Sequence, residues 1–185
     1  MCGIVAYIGK KDAYPIIIKG LKRLEYRGYD SAGISIYNGN KILTRKLKGK
    51  INKLEKSITK IKSCKGNLGI GHTRWATHGE PSNENSHPHA SNSNELHIVH
   101  NGIIENYSSL KEELIARGFH FNSDTDTEVL VNLIEYIQIK EKIKLGEAVQ
   151  SALNQVVGAY SIAVIDIKKP DEIVVAKLGS PLCIG

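Results

Sequence analysis

The sequence predicts an α+β fold in which antiparallel sheets are layered with helices. Runs with strand and helix periodicity come in groups and do not alternate strictly, which argues against a doubly wound parallel sheet. Asn38-Gly39 separates two strand-like runs, and this dipeptide supplies the positive φ angles of a tight antiparallel hairpin. The 185 residues, 41% hydrophobic and 24% charged, suffice for one soluble domain with a sizeable core.

Seven runs of apolar and β-branched residues predict strands. In the first half of the chain they cover residues 4–8, 33–37, 41–46 and 68–70. In the second half they cover residues 96–99, 161–165 and 172–176. The runs at 68–70 and 96–99 each end in a cluster of polar residues, and such strand ends are where functional sites tend to form.

Five helices are predicted from apolar residues that recur at three- and four-residue spacing. The first two contain Ile16, Ile17, Leu21 and Leu24, in a helix ending near Arg27, and Ile51, Leu54, Ile58 and Ile61, with lysines on the solvent side. The other three contain Leu110 and Leu114; Val129, Leu130, Leu133, Ile134 and Ile137; and Ala148, Val149, Ala152, Leu153 and Val156.

The net charge of +6 is concentrated in one segment. Residues 41–65 contain ten lysines and arginines against one acid, Glu55, so the rest of the chain is slightly acidic. Such a segment can be a nucleic-acid patch or a solvated face of the fold. Because it contains no Phe, Tyr or Trp to stack on bases, we expect a solvated face and no nucleic-acid partner.

Three cysteines and the absence of long apolar runs bear on the compartment. No run approaches the roughly 18 residues that span a bilayer, and Met-Cys-Gly-Ile-Val does not read as a secretion signal. We therefore expect a cytoplasmic protein with free thiols and no membrane partner. Cys64 is expected at the surface, and Cys183 as a small core residue.

Cys2 becomes the first residue if Met1 is removed, which is usual before a small residue. Its thiol and its own α-amine then lie within one residue. An α-amine has an unperturbed pKa of about 7.7–8.0, so part of it is neutral near pH 7 and can accept the thiol proton. A retained Met1 would lock that amine in an amide. The alternative is that Cys2 is simply a small residue after Met1.

Four further motifs combine glycines with dense polar residues beside apolar runs. They are Tyr26-Arg27-Gly28-Tyr29-Asp30-Ser31-Ala32-Gly33, His72-Thr73-Arg74-Trp75-Ala76-Thr77-His78-Gly79, Asn101-Gly102-Ile103-Ile104-Glu105-Asn106 and Ser123-Asp124-Thr125-Asp126-Thr127-Glu128. Each also has an ordinary structural interpretation: an ion pair for Arg27, packing for Arg74 and Trp75, a plain turn for Asn101-Gly102, and a helix N-cap with a capping box for 123–128, where Asp126 would favour the helix dipole.

Together with Met-Cys-Gly-Ile-Val, these motifs resemble the glutaminase domain of class II glutamine amidotransferases, which are N-terminal nucleophile hydrolases. The resemblance runs from Met1 to Gly185 and implies a four-layer αββα sandwich of two mainly antiparallel sheets. Tyr29 and the run beginning at His72 distinguish the chain from the related phosphoribosyl-pyrophosphate amidotransferases. Those enzymes usually have Gln at the position of Tyr29 and a Tyr-Ser-Thr-type run after the arginine that corresponds to Arg74.

The resemblance also implies the catalytic groups. Cys2 would attack the side-chain amide of L-glutamine, release ammonia and form a γ-glutamyl thioester, which water then hydrolyses to glutamate. The side chain of Asn101 and the main-chain N–H of Gly102 would form the oxyanion hole, which stabilises charge that develops in the transition state. Arg27 would lie behind Cys2 and orient it. No cofactor and no metal are implied.

The substrate-binding groups follow from the same resemblance. Arg74 would pair with the α-carboxylate of glutamine, for which its planar fork is suited, and Asp126 would receive the α-ammonium. Thr77 and His78 would belong to the glutamine-binding loop. Trp75 would lie at the passage toward further domains.

Those further domains lie outside the 185 residues. The final run Ser-Pro-Leu-Cys-Ile-Gly reads as an apolar strand without a polar tail, so we expect a piece of a longer protein. The resemblance implies C-terminal sugar-isomerase domains that pass the ammonia to fructose 6-phosphate, in a homo-oligomer. Two alternatives stay open: a regulatory glutamine-binding module without turnover, and an amidotransferase that serves a different acceptor.

Six of the seven histidines lie between His72 and His100, which raises the question of a metal site. Their spacing matches no zinc signature, and Glu80, Glu84 and Glu95 are the only acids within that span. We therefore expect no metal there.

Overall fold

A computed structural model describes residues 2–58, 64–75 and 79–185. The strands are β1 (Gly3–Ile8), β2 (Ser31–Tyr37), β3 (Ile42–Lys48), β4 (Leu68–Arg74), β5 (His89–Ala90), β6 (Leu96–Ile104), β7 (Gly158–Asp166) and β8 (Val174–Leu178). The helices are α1 (Ala13–Leu24), α2 (Ile51–Ile58), α3 (Tyr107–Ala116), α4 (Asp126–Glu141) and α5 (Leu145–Leu153), and a 3-10 turn (Glu25–Arg27) follows α1.

The strands form two four-stranded sheets in which every named pair is antiparallel. The first sheet has the order β1-β4-β2-β3 and the second the order β5-β6-β7-β8. The predicted hairpin joins β2 to β3, with Tyr37 opposite Ile42 and Gly39 at φ +94. The Asn38 side chain accepts hydrogen bonds from the N–H groups of Asn40 and Lys41, so the turn is closed from within.

Three apolar clusters show how the layers stack. Helices α1 and α2 pack on the outer face of the first sheet, through residues such as Ile17 and Leu54. Helices α3, α4 and α5 pack on the outer face of the second sheet. Between the sheets lies a smaller cluster around Ile70, Val99 and Ile165. The order is therefore helix, sheet, sheet, helix, which confirms the predicted αββα sandwich.

The element bounds differ from the sequence-based expectation in several places. Strand β4 continues through Arg74, paired with β1 and β2, and β6 continues through Ile104, paired with β7. Strand β8 is Val174–Leu178, two residues later than predicted, and α5 ends before Val156. The two-residue strand β5 was not predicted. Ile61 lies outside the described residues.

Within residues 2–58, 64–75 and 79–185, no helix is long and apolar enough to cross a bilayer.

Candidate active site

A cavity of about 560 Å³ opens at one end of the sandwich, where the start of β1 meets the ends of β4 and β6 and the start of α4. Its wall combines thiol, guanidinium, amide and carboxylate groups with apolar surface from the 180–183 segment. The lining includes Cys2, Arg27, His72, Arg74, Trp75, Asn101, Gly102, Asp126, Pro181 and Cys183. The fold thus brings together the residues that the motifs placed far apart in sequence.

Cys2 lies immediately before β1, beside the main chain of Trp75. The Trp75 N–H donates to Cys2 Sγ at 3.2 Å, and Sγ lies 3.5 Å from the Trp75 carbonyl oxygen. Burial raises the pKa of the Cys2 thiol, and the N–H of Trp75 acts in the opposite direction. The thiol therefore needs a base to become a nucleophile near neutral pH.

Gly28 allows the Arg74–Trp75 peptide to reach the thiol. A Cβ at Gly28 would lie 2.7 Å from the carbonyl carbon of Arg74 and 2.9 Å from the nitrogen of Trp75. Its φ of −171 is ordinary extended backbone, so the requirement for glycine here is close approach and not conformation.

Asn101 and Gly102 lie within β6, so the plain-turn interpretation of this dipeptide is wrong. Asn101 Nδ2 donates to the main-chain oxygen of Cys2 at 3.3 Å, and Oδ1 lies 2.9 Å from His72 Nε2. Gly102 has φ +138, and a Cβ there would lie 1.9 Å from the carbonyl oxygen of Ala159 in β7. This close approach requires glycine and keeps the strand tight against its neighbour.

Arg74 and Asp126 line the same cavity and are 3% and 5% exposed. Arg74 Nη2 donates to the carbonyl oxygen of Gly79 at 3.2 Å. Burial lowers the pKa of Arg74, while Asp30, Cys2 and Asp126 act in the opposite direction. A buried cation and a buried anion within one cavity suit a ligand that carries both charges.

Asp126 is positioned by the beginning of α4. Thr125 is the N-cap, and its side chain accepts a hydrogen bond from the Glu128 N–H at 3.3 Å. The helix therefore starts within the predicted 123–128 segment. Asp126 Oδ2 accepts from the N–H of Ile104 at 2.8 Å. The dipole interpretation of Asp126 is thus incomplete, because its carboxylate faces the cavity and a strand.

Two predicted site residues lie at the rim. Arg27 is half-buried and lines the cavity. Trp75 is 48% exposed, and its ring meets that of Tyr29 edge to face at 5.3 Å. Thr77 and His78, predicted in the glutamine-binding loop, lie outside the described residues.

A buried group of histidines lies at the base of the cavity, where His72 and His87 form part of its lining, and the sequence interpretation gave this group no role. The rings of His72 and His87 are stacked with their centroids 4.3 Å apart. The ring of His89 meets that of His87 edge to face, at a centroid distance of 4.8 Å. Burial lowers the pKa of His72 to about 3 and that of His97 to about 4. Within residues 2–58, 64–75 and 79–185, no group of three or more His, Cys, Asp and Glu side chains is arranged to hold a metal.

The other two cysteines differ from expectation. Cys183 is exposed and lines the cavity, so its prediction as a core residue is wrong. Gly179, at φ +75, follows β8, and the chain then runs past the cavity in place of a further strand. Cys64 is half-buried against the α1–α2 core and is not a bare surface thiol.

Comparison with known proteins places this geometry in a family. Residues 72–179, more than half of the chain, match the model of a glutamine amidotransferase domain. The chain is 58% identical over 186 aligned residues to the glutamine–fructose-6-phosphate aminotransferase (isomerizing) of Bacteroides thetaiotaomicron, of which it covers 30% while being covered completely itself. It therefore spans about 30% of the length of that relative.

Two solved structures share this fold. The chain is similar to the glutamine phosphoribosylpyrophosphate amidotransferase of B. subtilis, with a TM-score of 0.75 and 29% identity, over 90% of this chain and 35% of that one. A structure described as the allosteric regulatory enzyme of purine biosynthesis gives a TM-score of 0.81 and 30% identity, over 96% of this chain and 37% of that one. The chain belongs to the glutamine amidotransferase domain family.

Proposed function

We propose that the protein hydrolyses free L-glutamine to L-glutamate and ammonia, with Cys2 as the nucleophile. The observation that carries this proposal is the convergence of four groups on one cavity: the thiol of Cys2, the amide of Asn101, the guanidinium of Arg74 and the carboxylate of Asp126. A nucleophile beside amide donors suits acyl transfer, and the charge pair suits the amino-acid end of the substrate.

The first half of the reaction forms a thioester. The neutral α-amine of a processed Cys2 takes the thiol proton, and sulfur attacks the side-chain amide carbon of glutamine. The carbonyl oxygen becomes an oxyanion, which Asn101 Nδ2 and the Gly102 N–H stabilise. The C–N bond then breaks, the proton passes from the α-amine to the departing nitrogen, and ammonia leaves a γ-glutamyl thioester on Cys2.

The second half consumes water. The same α-amine takes a proton from water, which attacks the thioester carbon through a second oxyanion. Collapse of that intermediate breaks the C–S bond, returns a proton to sulfur and releases glutamate.

Substrate choice rests on Arg74 and Asp126. Only the free amino acid carries both an α-carboxylate and an α-ammonium, so a site with one buried cation and one buried anion favours it over glutamine side chains in proteins. Each charge left unpaired in such a site typically costs about 2–5 kcal/mol.

We propose that the ammonia is passed to an acceptor bound outside these 185 residues. We propose C-terminal sugar-isomerase domains that convert fructose 6-phosphate to glucosamine 6-phosphate in a cytoplasmic homo-oligomer, with Trp75 at the passage between the domains. Support comes from the name of the 58% identical relative and from its greater length. The 185-residue protein alone should make no amino sugar, and fructose 6-phosphate should not change its glutaminase rate.

Glutamate release tests the proposal. Protein whose intact mass lacks Met1 should release glutamate and ammonia in equal amounts, whereas Cys2→Ala should release neither and still bind glutamine. Full turnover by protein that retains Met1 would rule out the α-amine as the base. Glutamine binding without turnover by the processed protein would favour the regulatory module instead.

A further inference from the structure

We infer that His72 is a positioning residue for the oxyanion hole, because its Nε2–H fixes the orientation of the Asn101 amide and keeps the Nδ2 donor toward Cys2. The inference rests on the proposed function, since it gives a role to a buried side chain that lines the same cavity. His72 lies in β4 of the first sheet, is 1% exposed, and reaches across the sandwich to β6 of the second.

Hydrogen-bonding capacity determines which ring nitrogen carries the hydrogen. His72 Nε2 lies 3.1 Å from the main-chain oxygen of His100 and 2.9 Å from Oδ1 of Asn101. A main-chain carbonyl oxygen can only accept, so Nε2 carries the hydrogen in either orientation of the neighbouring amide.

The same hydrogen then determines the orientation of Asn101. The amide atom that faces Nε2–H must accept, because an NH₂ group there would set hydrogen against hydrogen. That atom is therefore Oδ1. Nδ2 lies on the other side of the amide, where it donates to the main-chain oxygen of Cys2 at 3.3 Å.

The surroundings of His72 keep this arrangement fixed. Its ring stacks on that of His87 at 4.3 Å with 17° between the planes, which restricts rotation. Burial lowers the pKa of His72 to about 3, so the ring is neutral at neutral pH and carries its hydrogen on Nε2. The contact with Asn101 thus comes from a rigid donor with a single available hydrogen.

The consequence for catalysis follows from the polarity of the amide. An inverted Asn101 would direct a carbonyl oxygen, not an N–H, at the place where negative charge develops. Loss of one oxyanion donor typically costs about 10²–10³ in rate. Without the His72 donor the amide would populate both orientations, so we expect a smaller loss of kcat, about tenfold or more. KM should hardly change, since Arg74 and Asp126 hold the other end of the substrate.

Two substitutions of similar length and volume separate donation from packing. In His72→Gln the side-chain NH₂ can donate to Asn101 Oδ1, whereas His72→Met fills the space with no donor. We expect kcat of His72→Gln within about threefold of the unsubstituted protein, and kcat of His72→Met about tenfold lower or more, with KM unchanged in both. In an Asn101→Ala background, His72→Met should cause no further loss, because it acts through Asn101.

A binding measurement avoids dependence on turnover. Glutamate γ-semialdehyde adds the Cys2 S–H across its C=O bond, so an S–C bond forms, the thiol proton ends on oxygen, and no other reactant is needed. That oxygen occupies the oxyanion hole. The Kd of the aldehyde should be about tenfold higher for His72→Met than for His72→Gln, while the Kd of glutamate stays equal.

The outcomes are distinguishable. Equal kcat and equal aldehyde Kd in the two His72 variants would overturn the inference and leave the proposed function standing. A further loss of kcat when His72→Met is added to Asn101→Ala would have the same consequence. An unchanged kcat in Asn101→Ala alone would remove the oxyanion assignment, and the inference with it. No glutamate release by the unsubstituted protein would contradict the proposed function itself.

Discussion

Asp126 Oδ2 accepts a hydrogen bond from the main-chain N–H of Ile104 at 2.8 Å, and this bond joins the first turn of α4 to β6. Strand β6 also carries Asn101 and Gly102. The carboxylate proposed to hold the substrate ammonium is therefore tied to the strand proposed to stabilise the oxyanion. On this proposal, one hydrogen bond links the residue that would recognise the amino-acid end of the substrate to the strand that would stabilise the oxyanion.

That contact allows the charge of Asp126 to be tested apart from its structural role. Asp126→Asn keeps an acceptor for the Ile104 N–H and removes the negative charge, so kcat/KM for glutamine should fall about 30-fold or more, from an expected cost of about 2–5 kcal/mol. Its Tm should change little, whereas Asp126→Ala should lower both. Arg74→Ala should lower kcat/KM by a similar factor. If Asp126→Asn and Asp126→Ala both match the unsubstituted protein in kcat/KM, then Asp126 is only part of the helix start.

Thiol labelling tests whether the cavity selects Cys2. A glutamine analogue with an electrophilic side chain should modify Cys2 alone, because Arg74 and Asp126 would hold its amino-acid end and direct the electrophile to that thiol. Cys183 is the demanding control, since it is exposed and lines the same cavity. Peptide mass spectrometry after one equivalent of reagent reports both sites. Equal labelling of Cys183 would mean that exposure, not substrate binding, directs the reaction.

Gly28 should matter for catalysis without touching the substrate. Its Cβ in Gly28→Ala would lie 2.9 Å from the Trp75 nitrogen and displace the N–H that contacts Cys2 Sγ. We expect kcat to fall about tenfold or more, along with Tm. Gly146→Ala is the matched control: nothing lies within 4 Å of its Cβ, and in a helix Ala is favoured over Gly by about 1 kcal/mol. Equal kcat in the two variants would contradict the role of this close approach.

The buried histidines predict a loss of stability in acid. Burial lowers the pKa of His72 to about 3 and that of His97 to about 4, and holds the pKa values of His87 and His89 well below the usual value. The unfolded chain binds these protons below about pH 6.5 while the folded protein does not, so the free energy of unfolding falls as pH falls. Each such proton adds up to about 1.4 kcal/mol per pH unit to the slope of the free energy of unfolding against pH.

Urea unfolding between pH 7.5 and 5 measures this slope. His97→Gln should make it shallower by about one proton, that is about 1.4 kcal/mol per pH unit. A free energy of unfolding that does not vary over this range would show that the histidines are not held neutral by burial.

The sequence predicted local features and layers well, and contacts across the sandwich poorly. The hairpin at Asn38-Gly39 was correct because its turn depends on those residues alone. The predicted strands ended at Ile70 and Val99, because a cluster of polar residues follows each of them. In the structure β4 stays paired with β1 and β2, and β6 with β7, through these polar residues, and His72 contacts Asn101 across the sandwich. Only the pairing of two strands distant in sequence reveals this.

The candidate site shows the same division. The motifs were identifiable because unusual residue types cluster in short runs. The predicted site residues that are described all line one cavity: Cys2, Arg27, Arg74, Trp75, Asn101, Gly102 and Asp126. Gly28 and His72 stood within these motifs without a role, since their importance lies in what their atoms contact. Cys183 was misplaced because an apolar run resembles a core strand, whereas its position depends on Gly179 and the path of the chain after β8.

The central claim is that glutamine is cleaved through a covalent bond to Cys2. The most direct measurement is an acid quench of the Met1-processed protein during turnover, followed by mass spectrometry of its N-terminal peptide. The peptide should carry a γ-glutamyl group on the Cys2 sulfur, and the group should disappear when glutamine is exhausted. Sustained glutamate release by Cys2→Ala, or an adduct on Cys64 or Cys183 with Cys2 unmodified, would contradict the account.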